Sequence, residues 1–257
     1  MEVASFCFSK RYNGQPGPPR LRQAGHAPKK QGVFIPLLFY ICPFTFFMQN
    51  PSLNYTVKAL LFVFAKLLAA SLLISYFKSE HYAIGSLFLG LILIAFVRSY
   101  RRFADNRAQF WVATFGICIT LLLGLMAEIW GTSQGHWQYL AIPNDIAIPF
   151  WVPFAWGLSY KTIYSVEKVL LPHFSNGLGK WLVGIVLPAL VLPILGEIIV
   201  INNGTWHYTW QPQWLGMPLI PVVLLVVFHV SIVILMCGIC KWFSVKDPVY
   251  AALVDIK

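Results

Sequence analysis

Glu128 and Glu197 are the residues of this 257-residue chain best placed to do proton chemistry, because each opens the same motif. Glu128–Gly135–Trp137–Tyr139–Pro143–Pro149 recurs 69 residues later, without a gap, as Glu197–Gly204–Trp206–Tyr208–Pro212–Pro218. The matches fall in residue types that do not dominate the composition, while the rest of the 69-residue unit has diverged, which marks an old duplication rather than a solenoid repeat. Each copy puts one carboxylic acid at the end of an apolar segment, in an aromatic setting. Ionisable groups at membrane depth are costly and usually functional. A carboxyl walled by Trp and Tyr and kept from water resembles the acids that enzymes hold ready for proton donation.

The aromatic residues narrow the chemistry. Trp130, Trp137, Tyr139, Trp151, Trp156, Trp206, Tyr208, Trp210 and Trp214 cluster in or near the two motif segments. Aromatic faces stabilise positive charge. Protonating an alkene and holding the resulting carbocation needs an acid and such faces, and no metal, nucleotide or other cofactor. Taken singly, each Trp or Tyr also fits the ordinary aromatic belt at a membrane interface, and a Glu at the end of a span can simply face water.

These residues must be positioned by membrane helices. The chain is 58% hydrophobic and only 11% charged, with mean hydropathy +0.68. A soluble domain carries about 25% charged residues, so the composition is that of an all-α integral membrane protein. Spans are expected near 59–77, 82–97, 109–130, 147–165, 181–201 and 217–240, since about 20 residues cross a hydrocarbon core of about 30 Å. A seventh run, 33–48, is short and broken by Pro36 and Pro43. Six spans are favoured and seven is the alternative. Each copy reads as helix, loop and helix, with proline at the start of the second helix; the copies occupy about 109–165 and 181–240. Two spans separate the motif loops, so both loops lie on one face and the repeats are parallel.

The net charge of +10 does not imply nucleic acid, because the basic residues sit where the positive-inside rule applies. Arg98, Arg101, Arg102 and Arg107, then Lys161, Lys168 and Lys180, then Lys241, Lys246 and Lys257 mark three cytoplasmic regions. The motif loops 131–147 and 202–216 contain no Lys or Arg and are expected on the non-cytoplasmic face, in a bacterial inner membrane. Residues 1–32 read as a disordered basic cytoplasmic tail preceding a polytopic domain over 33–257. The tail does not read as a signal peptide, and Met48 opens a stretch suited to an alternative start.

Other polar residues receive plainer readings. Cys237 and Cys240 form one CxxC without the further ligands a metal site needs. Lys66 reads as snorkelling to the headgroups with Lys58, and the arginine cluster as touching anionic lipid. His229 reads as a packing histidine without an evident partner. His136 and His207 occupy different slots of the repeat, which argues against a shared metal. Asp145 has two readings, a third acid or the N-cap of the helix near Pro149, of which the cap is favoured. Pro188 and Pro193 are expected to kink the span before Glu197 and border a cavity.

The stretch from Glu128 through Gly131, Thr132, Gly135 and Trp137 to Tyr139, followed by Pro149, Trp151, Pro153 and Trp156, resembles the first signature of the membrane carotenoid-biosynthesis family that includes carotenoid hydratases. It is more distantly similar to the small membrane lycopene cyclases. Trp206, Tyr208 and Gly216-Met217-Pro218 are similar to the later signature, so the resemblance covers about residues 109–225. It implies acid-initiated cyclisation or hydration of a long isoprenoid, an apolar ligand taken from membrane lipid, with Glu128 and Glu197 as the matching acids. Two departures stand: no Asn–Gly–Trp element follows Pro218, and there is no paired Glu-Glu. The competing classes are a proton-coupled small-solute transporter and a non-catalytic multi-pass membrane protein.

Overall fold

The computed structural model describes residues 52–254 except 141, 144 and 145. The 1–32 tail, the 33–48 run, Met48 and the Asp145 cap lie outside the described residues. Among these, long helices α1 (Leu53–Tyr76), α2 (His81–Arg102), α3 (Arg107–Ser133), α4 (Val152–Leu170), α5 (Gly177–Asn202) and α6 (Leu219–Trp242) follow one another in an up-and-down order. A short α7 (Tyr250–Leu253) ends the described chain. Side-chain oxygens of Ser52 and Asn106 accept from the backbone N–H three residues on and start α1 and α3, satisfying donors that a helix N-terminus leaves free.

Five of these helices are long and apolar enough to cross a membrane: α1, α2, α3, α5 and α6. Their outer faces carry exposed Leu61, Phe64, Leu68, Leu93, Phe115, Leu122 and Val227, the surface that lipid covers. The segment expected as a span over 147–165 differs. The helix there begins at Val152, continues to Leu170 and carries Lys161, Glu167 and Lys168, so it is not among the five. Its place in the fold accounts for much of this composition. α4 packs against α1, α2, α3 and α5, so protein rather than lipid surrounds most of it, and Trp156, Tyr160, Tyr164 and Glu167 find protein partners.

The α3–α4 contact is the most extensive and rests on small residues. A Cβ on Gly116 would collide with Tyr160, and one on Gly124 with Trp156, while Gly157 of α4 approaches Ile117. Such residues let helix backbones approach where hydrophobic burial gives no drive between helices. The irregularity expected in α5 takes a definite form: residues Lys180–Val186 wind as a π-helix that ends two residues before Pro188, and the helix continues through Pro193. The wider turn supplies i→i−5 bonding just before the residue that has no N–H to give.

His229 does have a partner. Its Nε2 lies 2.6 Å from Glu167 Oε1, joining α6 to α4, and both side chains are buried. Beside them the chain after α6 folds back into the bundle. Asp247 accepts from Tyr164 and from the backbone N–H groups of Val249 and Tyr250, and Tyr250 pairs its hydroxyl with that of Tyr160. Burial is the main influence on Asp247 and pushes its carboxyl above the usual range, against the lowering effect of these donors and of Lys168. Cys237 and Cys240 are buried, free thiols in the same core.

Removing one partner of a buried pair leaves the other unsatisfied, at a cost of about 3–5 kcal/mol. His229→Ala should destabilise the purified protein by that order, and Glu167→Gln, which keeps a hydrogen-bonding group, by less. Unfolding in mixed micelles would measure both; a His229→Ala cost below about 1 kcal/mol, the range of exposed pairs, would contradict this role.

Candidate functional site

Each acid stands one and a half turns before the end of its helix, and both helices end in the same way. Gly135 and Gly204 adopt φ of +69° and +66°, where a side chain is strained and glycine is not. His136 N–H donates to Gly131 O and Gly135 N–H to Thr132 O; Thr205 N–H donates to Val200 O and Gly204 N–H to Ile201 O. These are Schellman closures at matching positions. They turn each chain back over its own helix, so that the residues nine and eleven places after the Glu return to its carboxyl.

The return makes the hydrogen bonds that define the site. Trp137 Nε1 and Tyr139 Oη donate to Glu128 Oε2 at 2.8 and 3.0 Å. Trp206 Nε1 and Tyr208 Oη donate to Glu197 Oε2, both at 3.1 Å. The Trp-x-Tyr segments are strands β1 (Trp137–Tyr139) and β2 (Trp206–Tyr208), paired antiparallel with Trp137 opposite Tyr208, Gln138 opposite His207 and Tyr139 opposite Trp206. Leu140 N–H to Thr205 O and Thr209 N–H to His136 O, each 3.0 Å, extend the pairing at both ends. One small sheet thus carries two donors for each acid.

Eight of the nine aromatic residues singled out in the sequence lie around this sheet, whereas Trp214 is exposed and belongs to a separate strand pair. Tyr139, Trp151 and Trp206 form a buried triangle with centroids 5.6 to 6.1 Å apart. Trp137 touches Tyr208 edge-on, and Trp130 and Trp210 close the group outside. Trp156 arrives from α4. Glu128 and Glu197 both raise the phenols of Tyr139 and Tyr208 well above the ordinary range, after burial, which is the largest influence. Both phenols therefore stay protonated and serve as donors.

The two acids are not equivalent. Trp156 Nε1 donates to Glu128 Oε1 at 3.1 Å, so both oxygens of Glu128 are engaged and the side chain is buried. The position 69 residues after Trp156 is Leu225, which has no N–H to offer. Glu197 is half-buried, and its Oε1 accepts no hydrogen bond among the described residues. One carboxyl is fixed by three donors, and the other keeps an open oxygen.

Several contributors were not read from the sequence. Lys78, in the α1–α2 turn, donates to Asn203 O and Gly204 O and closes the end of α5; no spacing ties it to the motif. His136 packs at a tilt against Trp210 with centroids 4.3 Å apart, and Thr209 Oγ1 donates to Gly135 O. His207 is exposed. Among the described residues no three His, Cys, Asp or Glu side chains group as metal ligands. Glu167 and Asp247 lie in the separate polar core around α4. No family model, curated protein or solved structure matches this chain.

Gly131, like Gly116 and Gly124, has no room for a side chain. A Cβ there would lie 1.8 Å from the Trp137 ring, whereas the matching position in α5 is Val200. Gly131→Val should expel Trp137 and free Glu128 of a donor, red-shifting the tryptophan emission, while Val200→Gly leaves the Glu197 donors in place. Equal spectra for wild type and Gly131→Val would contradict the packing.

Proposed function

We propose that the chain is a cofactor-independent membrane enzyme that starts the cyclisation or hydration of a long isoprenoid, of the carotenoid class, by protonating an alkene. The observation that carries this reading is the inequality of the two carboxyls. Paired acids whose surroundings differ are the usual source of a proton donor and its charged companion. Glu197, with its open Oε1, gives the proton. Glu128, held by Trp137, Tyr139 and Trp156, remains the fixed negative charge that favours the cation.

The balance of the step is simple. An alkene carbon gains the Glu197 proton and its neighbour becomes a tertiary cation, held against the faces of Trp137, Trp151, Trp206 and Tyr208. In cyclisation a second double bond attacks the cation, and loss of an adjacent proton to a carboxylate restores the acid. In hydration water adds to the cation and its surplus proton returns to the carboxylate. The resemblance to carotenoid hydratases and lycopene cyclases supports the substrate class. The inward-facing donors on one sheet support a shared site over a transporter or a scaffold.

The reading takes α4 as a sixth crossing, its charges shielded by its neighbours, and the two Glu segments as parallel copies about an axis along the membrane normal. It sets the motif sheet on the non-cytoplasmic face of a bacterial inner membrane, opposite the Arg98–Arg107 region. An impermeant maleimide should then label Gln138→Cys in intact cells and spare Ser244→Cys, measured against the chain's own cysteines. The reverse pattern would invert the orientation.

General acid catalysis contributes about 10²- to 10⁴-fold. Glu197→Gln should lower turnover of a linear carotenoid by that order in proteoliposomes. Glu128→Gln should lower it too, while leaving the protein folded. Unchanged product from both variants, followed by chromatography, would sink the assignment.

A further inference from the structure

Three cations stand on α4 and on the two helices, α1 and α2, that pack against it. Lys66 is the fourteenth of the 24 residues of α1, and Lys161 the tenth of the 19 of α4. Both therefore sit near the middle of their helices, and Arg98 stands one turn from the end of α2. α1 and α2 each pack on α4, and Lys161 lies within electrostatic reach of both Lys66 and Arg98. Lys66 Nζ is held 4.1 Å from the centre of the Phe62 ring. Lys161 is half-buried, while Lys66 and Arg98 are exposed.

No carboxylate answers this charge among the described residues. Glu128 and Glu197 are turned to the aromatic donors, Glu167 to His229, and Asp247 to Tyr164 and the chain end. Glu80 and Asp105 lie at helix ends outside the spans. Like charges gathered at membrane depth are expensive unless an anion joins them. Snorkelling to the headgroups explains one lysine near a helix end, but not two at mid-helix on neighbouring helices within electrostatic reach of each other.

We propose that Lys66, Arg98 and Lys161 form a site for the phosphate or diphosphate head of an amphiphile, entered from the lipid between α1 and α2. Lysine and arginine supply the charge, and the apolar outer faces of α1 and α2 accept the tail. The site stands apart from the glutamate pair and does not depend on the reaction assigned to it. A membrane phospholipid and a prenyl diphosphate share this chemistry.

The test uses the full chain in phosphatidylcholine nanodiscs, probed separately with phosphatidylglycerol, geranylgeranyl diphosphate and uncharged geranylgeraniol, and reads retained ligand by native mass spectrometry. The wild type should retain at least one phosphate-bearing probe at least tenfold better than the Lys66→Gln/Lys161→Gln variant, and geranylgeraniol equally with it. Lys66→Arg/Lys161→Arg should keep binding, as should Arg101→Gln, an exposed arginine outside the cluster. Retention of phosphatidylglycerol alone makes the ligand a structural lipid; preference for the diphosphate makes it an isoprenoid. If the double glutamine variant does not fold, Lys161→Gln alone is read in the same way. Equal retention by wild type and glutamine variants for both phosphate probes overturns the site.

Discussion

The hydrogen bond from a tryptophan to a glutamate nine residues earlier is the constraint on which the motif face depends. A carboxyl buried near a membrane surface is costly unless donors surround it. Here the donors come from the segment that follows the helix end, so satisfying the acid also fixes the path of the loop. Gly135 and Gly204 make the reversal, the indole and phenol reach back, and the two returning strands then have unpaired edges that satisfy each other. Helix termination, loop conformation and contact between α3 and α5 regions thus follow from the position of one acid in each segment.

The same constraint separates the two acids. Because Glu128 takes a third donor from α4 and Glu197 has Leu225 in the corresponding place, similar segments yield different surroundings. Gly131 against Val200 adds to the difference, since only the glycine admits the Trp137 ring over the helix. A duplicated motif with unequal shells can divide labour between a fixed anion and an exchangeable acid, which one carboxyl in a symmetric cage would not do.

Much of this was legible in the sequence because it rests on local spacing. The helix ends, the glycine turns and the Trp-x-Tyr partners fall within a dozen residues of their Glu, although the third donor to Glu128, Trp156, is 28 residues away, and the hydropathy runs located α1, α2, α3, α5 and α6. What was not legible rests on contacts between distant segments. Lys78 reaches Gly204 across 126 residues, and His229 finds Glu167 only because α6 and α4 come together. The length and polarity of α4 follow from enclosure by four other helices, which a reading tuned to lipid-facing spans does not register. The π-turn before Pro188 was signalled only as a generic kink.

The account turns on whether the acids deliver a proton to carbon. Mass spectrometry of product formed by the full chain from a linear carotenoid in heavy water tests this most directly. The account predicts deuterium incorporated at the former alkene carbon by the wild type, and its loss along with the product in Glu197→Gln. Product formed without deuterium, or deuterated product formed equally well by Glu197→Gln, would contradict it.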